Sequence, residues 1–299
     1  QCCLSDMDGL ILANHLCNNL GIDTISTGTA IAFAMECYER GLIPHDILEG
    51  QKLLWGDKET ILKLIQDIAY KRTELGQLLA SGVKKMAEIL GTGVTDFAPH
   101  VKGVEFAAHD PRSCQSWGLS YVTGSSGPRH TEAPVWPEFC QIPVAKLGLS
   151  EPLDCKVVEG KPQAVKLVQD FMASAMNSCG CCYFVYGMTD SVDYVMNYME
   201  AVTGRKIILD ELLRCGERSF NLKRLFNARV GIGKKDDVLP KRFTRDALKA
   251  GVAKGLVARA DEMLEEYYQL RGWDTTTGWP TKQKLEDLSL LEESKALYG

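Results

Sequence analysis

The amino-acid sequence predicts an all-α (mainly α) protein with a few short strands. Apolar residues recur at intervals of three and four through most of its length, the period that gathers them on one helix face. Several of these runs stop at glycine, which closes a helix in the left-handed conformation without a Cβ penalty, as at Gly41 and Gly91. The alternation of a half-buried strand is scarce, and only the stretches near 101–110 and 155–159 suggest it.

Taken in order, residues 4–20 read as a first helix ending at Asn18-Asn19-Leu20-Gly21. A second helix carries Ile31, Ala34, Met35 and Tyr38, with Ser26 or Thr27 as its expected N-cap and Gly41-Leu42-Ile43-Pro44 as its stop. A third begins near Asp57 and places Ile61, Leu64, Ile65 and Ile68 on one side. A fourth carries Leu75, Leu78, Leu79, Val83, Met86 and Leu90 up to Gly91. These stripes are core packing. From about 95 to 162 Pro, Gly and Ser become frequent, with a short helix expected at Ser113–Thr123. His100, His109 and His130 lie in this irregular stretch, and long irregular segments inside compact domains tend to be functional. Its Gly124–His130 turn is glycine-rich but lacks the Lys-Ser/Thr ending of a nucleotide phosphate loop.

Helix returns at 163–178 with Val165, Val168, Phe171, Met172 and Ala175, and again at 191–203. Another runs from Leu209 to about Arg229 with Asp210 as expected N-cap, and Val230-Gly231-Ile232-Gly233 breaks it. Lys234–Phe243 is a charged connector, Asp261–Arg271 a strong helix, and 281–288 a short one after a Gly/Pro turn.

The net charge of −5 gives no basic field for nucleic acid or an anionic membrane surface. No apolar run reaches the length of a membrane span. The opening Gln1-Cys2-Cys3-Leu4 enters helix-like sequence with no basic leader, so the chain reads as the later part of a longer protein. The 11 cysteines are odd in number and scattered, which argues against a disulfide framework and for a reducing, cytoplasmic setting. No paired C-x-x-C knuckles encode a complete four-thiolate metal site.

One pattern occurs twice. Asn18-Asn19-Leu20-Gly21-Ile22-Asp23 and Asn177-Ser178-Cys179-Gly180-Cys181-Cys182 both read Asn-x-x-Gly-x-ligand at the end of a helical run. One ends in a carboxylate and the other in a thiol, each held just beyond a rigid helix end. Two matched loops of this kind suit the two halves of a pseudo-symmetric cofactor.

Further stretches bear on the same point: Gly21–Gly28, Ala32–Glu36, Val101–Glu105, Asp110–Arg112, Gly216–Arg218, Asn221-Leu222, Arg224–Asn227, Asp236-Asp237, Leu239–Phe243 and Tyr267–Asp274. On these the sequence resembles the tungsten- or molybdenum-pterin aldehyde:ferredoxin oxidoreductases over essentially its whole length. The resemblance is to the family's two helical domains alone. It implies one domain over 1–103 with the first pterin motif, and another over 104–299 with the second motif and a cluster cysteine. The family's N-terminal β-rich domain, three further cluster cysteines and a catalytic glutamate have no counterpart here.

The resemblance implies pterin contacts at Asn18, Gly21, Ile22, Asp23, Asn177, Gly180 and Cys181, and ligation of a 4Fe–4S cluster by Cys182. It implies an active-site role for His130, donating a hydrogen bond or proton to a substrate oxygen. This chain departs from the family at both motif-opening acids, which are Asn18 and Asn177, at the thiols Cys179 and Cys181 in apolar positions, and at Glu132 where a basic residue is usual. The implied activity is oxidation of a small aldehyde to a carboxylic acid at a tungsten (or molybdenum) bis-pterin, with ferredoxin or another electron carrier as acceptor. Family members are often homodimers. An alternative is a reductive member such as an aromatic acyl-CoA ring reductase subunit, and one of another class is a cofactor-free helical scaffold. The isolated chain is expected to lack the cofactors and to be inactive.

Overall fold

The computed structural model describes residues 1–91, 93–180 and 191–299. Its helices are α1 (Met7–Leu20), α2 (Thr24–Glu39), α3 (His45–Leu48), α4 (Lys58–Tyr70), α5 (Glu74–Ala80), α6 (Val83–Leu90), α7 (Gln115–Thr123), α8 (Val135–Glu138) and α9 (Lys161–Cys179). They continue with α10 (Ser191–Thr203), α11 (Leu209–Arg229), α12 (Lys241–Arg245), α13 (Ala260–Arg271), α14 (Lys282–Asp287) and α15 (Leu291–Tyr298). Two short strands, β1 (His100–Val101) and β2 (Val104–Glu105), form one antiparallel hairpin. The protein is mainly helical, as its periodicity predicts. It divides into a first unit of residues 1–110, 126–128 and 239–246, and a second of 111–125, 129–238 and 247–299.

In the first unit α2 is the central element. Thr27, Thr29, Ala30, Ile31, Phe33, Ala34, Met35 and Cys37 are all buried, so the helix is apolar on most of its circumference and α1, α4, α5 and α6 pack around it. The β1–β2 turn has positive φ at both central residues, Lys102 (54°) and Gly103 (87°), the conformation that matches strand twist in a two-residue hairpin. Glu105 on β2 accepts a hydrogen bond from Val83 N at 2.9 Å, capping α6. The Arg242 guanidinium of α12 donates to both oxygens of the half-buried Glu36 carboxylate, one bond measuring 2.8 Å.

In the second unit α9 and α11 cross closely, with α7 and α13 packed on α9. Gly216 makes that crossing possible: a Cβ there would overlap the Asp170 carbonyl oxygen. Every residue of α7 is buried, and Gln115, Ser116, Ser120 and Thr123 are hydrogen-bonded through their side chains. Gln115 donates to Val257 O at 3.0 Å and accepts from Arg259 N at 2.9 Å, and Gln169 donates to Thr123 Oγ1 at 3.2 Å. Arg271, wholly buried, donates to Asp170, to Gln169 Oε1 (2.9 Å) and to the Tyr267 hydroxyl (2.9 Å). Arg224 holds Asp237 with two bonds of 3.0 and 2.6 Å, and Tyr268 donates to the same carboxylate at 2.6 Å.

Four local expectations are corrected. Asp23, rather than Ser26 or Thr27, caps α2, because the helix starts three residues earlier and Asp23 Oδ2 accepts from Ser26 N at 2.6 Å. The expected single helix from Leu75 to Leu90 is two, split at Gly82, whose φ of +83° no right-handed helix contains. Ile208 occupies the N-cap of α11, and Asp210 lies in its first turn, where a carboxylate favours the positive helix end. Residues 155–159 form turns, not a strand.

Candidate functional site

The first Asn-x-x-Gly-x-ligand stretch is a corner between two helices. Gly21, with φ of +67°, ends α1 in the left-handed conformation. Its N–H and that of Ile22 donate back to Asn18 O (3.3 Å) and Cys17 O (3.0 Å), which uses the last carbonyls of the helix. The chain then turns into Asp23 and the first turn of α2. Asn18, Gly21 and Asp23 are exposed and Ile22 is half-buried. A Cβ on Gly21 would meet nothing within 4 Å, so the backbone there is open to a close-approaching partner. The Asn18 amide donates to Asn14 O at 3.0 Å, leaving the amide oxygen to accept from a ligand. Asp23 offers one oxygen to the α2 cap, and its second carboxylate oxygen remains as an acceptor. The corner therefore sets an amide oxygen, a carboxylate oxygen and an uncovered stretch of backbone on two packed helix ends. That set of acceptors fits the N–H-rich edge of a pterin ring.

Exposed apolar side chains lie on the N-terminal half of α1 and at the start of α2. Met7, Ile11 and Ile25 are 67%, 61% and 43% exposed, and Leu10 of α1 is also exposed. A cleft of about 260 Å³ runs under α1, lined by Leu10, Asn14, Cys17, Thr24 and Thr27 among others.

The second stretch begins on the last turn of α9, which contains Asn177. Gly180 has φ of +60°, the left-handed helix end that the sequence predicts there. Cys181 and Cys182, the expected pterin contact and cluster ligand, lie outside the described residues.

His130 opens a single 3₁₀ turn, His130–Glu132, in the second unit and is half-buried. That turn packs against both α7 and α9. Ser120 of α7 donates to Arg129 O at 3.0 Å, and Ala133 N donates to His130 O at 3.0 Å, so the backbone carrying the imidazole is tied on both sides. In the first unit Gly127 approaches the β-hairpin so closely that a Cβ would lie 2.7 Å from that of Val104. The glycine-rich turn is thus built by contact, with positive φ (+100°) at Gly127.

Cys2, Cys17 and Cys37 of the first unit are buried packing residues, whereas Cys3 is exposed. Burial pushes the Cys2 thiol up to about 11 and the Cys37 thiol up to about 12, leaving them protonated and unreactive near neutrality. A group in the second unit escaped sequence reasoning: Cys114 Sγ, Cys155 Sγ and a Glu138 oxygen lie within 4.8 Å of one another. The three residues are far apart in the chain with no motif spacing, so only the fold reveals them.

With that geometry in place, comparison with known proteins assigns the family. The family model described as aldehyde ferredoxin oxidoreductase, domains 2 & 3, matches residues 1–290. The chain belongs to this family and corresponds to those two domains. It is 36% identical over 292 residues to a tungsten-containing aldehyde ferredoxin oxidoreductase of Thermococcus kodakarensis, covering 97% of this chain and 46% of that protein. The similarly named protein of Pyrococcus furiosus is 37% identical with the same coverage. The aliphatic sulfonate oxidoreductase, WOR-like subunit, of Pyrococcus furiosus is 29% identical, covering 96% of this chain and 43% of that protein. The chain thus spans about half the length of the curated relatives it matches. Among solved structures, the active site complex BamBC of benzoyl coenzyme A reductase with 1,5-dienoyl-CoA shares the fold, with a TM-score of 0.68 at 21% identity over 92% of this chain and 45% of that one. Among the described residues no helix is long and apolar enough to cross a membrane.

Proposed function

We propose that this chain is the helical part of a tungsten- or molybdenum-pterin oxidoreductase that oxidises aldehydes to carboxylic acids and hands the electrons to ferredoxin. The observation that carries the reading is the α1–α2 corner, an acceptor-bearing turn with open backbone at the position of a pterin motif. The identity of 36–37% to relatives named tungsten-containing aldehyde ferredoxin oxidoreductases supports it.

In this account Asn18, Gly21, Ile22 and Asp23 hold one pterin, Asn177, Gly180 and Cys181 hold the other, and Cys182 gives a thiolate to a 4Fe–4S cluster. When bound, the metal–pterin group supplies a Lewis acid and a two-electron redox centre, and the cluster conducts electrons singly. The chain's own residues do the rest. Asn18 and Asp23 accept hydrogen bonds that orient a ring edge, and Gly21 admits it to backbone contact. His130, fixed by the Ser120–Arg129 and Ala133–His130 bonds, holds a proton for the substrate oxygen. The exposed apolar residues Met7, Leu10 and Ile11 of α1 are covered in the whole protein by the half of its relatives' length that this sequence does not span. The protein works in the cytoplasm, a setting in which scattered thiols form no disulfide framework.

A second reading keeps the residues and reverses the electrons, making the protein a reductive subunit acting on an acyl thioester. The amides at 18 and 177 and the acid at 132 keep it open, because they change the charge around the pterins relative to the family pattern. The test is a substrate screen on the full-length protein purified without oxygen. Aldehyde-dependent reduction of ferredoxin is the expected result. Acyl-thioester-dependent oxidation of reduced ferredoxin would establish the second reading. Inactivity in both, with tungsten and molybdenum absent, would leave a helical scaffold.

A further inference from the structure

We propose that Cys114 and Cys155 form a reversible dithiol–disulfide site at the base of a cleft in the second unit, which accepts oxidising equivalents from a small disulfide. The two sulfurs are 2.9 Å apart. A disulfide bond needs about 2.05 Å, so a shift of under ~1 Å joins them. The same distance argues against a shared metal ion, since two thiolates at ~2.3 Å from a tetrahedral zinc stand about 3.8 Å apart. The third candidate ligand is also engaged: Glu138 is wholly buried, takes a hydrogen bond from Ser116 and pairs with the Lys161 ammonium at 2.8 Å.

The backbones are pinned independently of the side chains. Gln115 N, next to Cys114, donates to Cys155 O at 3.1 Å. Lys161 Nζ donates to Asp154 O at 2.5 Å, beside Cys155. Cys114 is the N-cap residue of α7 and is 1% exposed, whereas Cys155 is half-buried. Both line a cleft of about 470 Å³ with Ser113, Lys156, Val252 and Leu256 at its walls. The pair is chemically unequal as well. A hydrogen bond from the Cys114 thiol lowers the pKa of Cys155, and Lys161 assists, while the same bond and burial raise that of Cys114. Cys155 is the attacking thiolate and Cys114 the resolving thiol.

The exchange balances without any other oxidant. The Cys155 thiolate attacks one sulfur of the small disulfide, forming a mixed disulfide and releasing a first thiolate, which takes up the proton lost by Cys155. Cys114 then loses its proton and attacks the Cys155 sulfur. The Cys114–Cys155 bond forms, and the second small thiolate leaves with that proton. Two protein thiols are oxidised by two electrons, and one disulfide is reduced to two thiols. The product covalently ties the start of α7 to the loop before α9.

The test uses the full-length holoprotein, prepared without oxygen, exposed to excess oxidised glutathione, alkylated, digested and analysed by mass spectrometry. The expected result is a Cys114–Cys155 cross-linked peptide, lost on treatment with dithiothreitol, and a melting temperature that rises on oxidation. In Cys114→Ser the glutathione adduct should persist on Cys155 at least tenfold above its wild-type level. In Cys155→Ser, Cys114 should stay unmodified. Full alkylation of both residues in the wild type, while exposed Cys215 has reacted with glutathione, would overturn the proposal. So would stoichiometric zinc on the untreated protein that is lost in Cys155→Ser.

Discussion

His130 and Glu36 show what single side chains contribute. His130 stands on a turn tied at both ends and is half-buried, and the proposed function gives it the part of a proton donor. His130→Ala in the full-length protein should lower kcat by about 10²–10⁴, the usual contribution of a positioned acid–base group, with metal content unchanged. Glu36 is structural. Burial alone would raise its pKa, but the Arg242 and Arg40 guanidinium groups outweigh that and hold it below the usual glutamate value. A carboxyl with a lowered folded-state pKa stabilises fully above the unfolded value of about 4.3, and the contribution disappears as pH falls through the folded value. Unfolding midpoints measured between pH 7 and 3 should therefore fall in the acid range, and Glu36→Gln should flatten that fall. At this scale the sequence was partly legible. The motif drew attention to Asp23, yet its duty as the α2 cap was not read, because the helix start depends on which of several polar residues wins the hydrogen bond. The Cys114–Cys155 contact was invisible, since 41 residues separate the two thiols and no local pattern connects them.

At the scale of elements, helices with a clean apolar run came through well, whether they stop at a glycine or, as α4 does, at Lys71 in the left-handed conformation. Lys58–Tyr70 and Ser191–Thr203 match the periodic runs closely. The division of α5 from α6 did not, because the apolar period continues unbroken across Gly82 while the backbone does not. Close helix crossings were also hidden. Gly216 sits mid-helix, where glycine costs stability in isolation, and its reason appears only when α11 meets the Asp170 carbonyl of α9. Gly216→Ala must push the two helices apart and should cost about 3 kcal/mol or more by chemical denaturation, despite the better helix propensity of alanine. The α9–α13 contact is held by charge. Asp170→Ala leaves the buried Arg271 guanidinium without its carboxylate and should cost about 3–5 kcal/mol in the same measurement.

For the whole molecule, the stretches that carried the family resemblance turn out to be mostly framework. Arg224, Asp237, Tyr268, Arg271 and Trp273 form a buried lattice in the second unit: the Arg224 guanidinium lies 4.7 Å from the Trp273 ring centre, and Trp273 Nε1 donates to Asn221 at 2.7 Å. In the first unit Glu105 caps α6 and Arg242 clamps Glu36. Buried polar networks tolerate few substitutes, because a single missing partner strands the others. They therefore make the fold legible across distant relatives without specifying the reaction. The proposed function rests on far fewer residues, the two Asn-x-x-Gly-x-ligand stretches and His130, and beside them, at Asn18, Asn177, Cys179, Cys181 and Glu132, the sequence departs from the family pattern.

The most direct measurement is elemental analysis of the full-length protein, purified without oxygen, beside its Cys182→Ser and Asp23→Ala variants. The account predicts tungsten or molybdenum together with about four iron atoms per chain in the parent. It predicts loss of most iron in Cys182→Ser, and of most tungsten or molybdenum in Asp23→Ala. A parent with neither metal and negligible iron, or a Cys182→Ser variant with a full complement of iron, would contradict it.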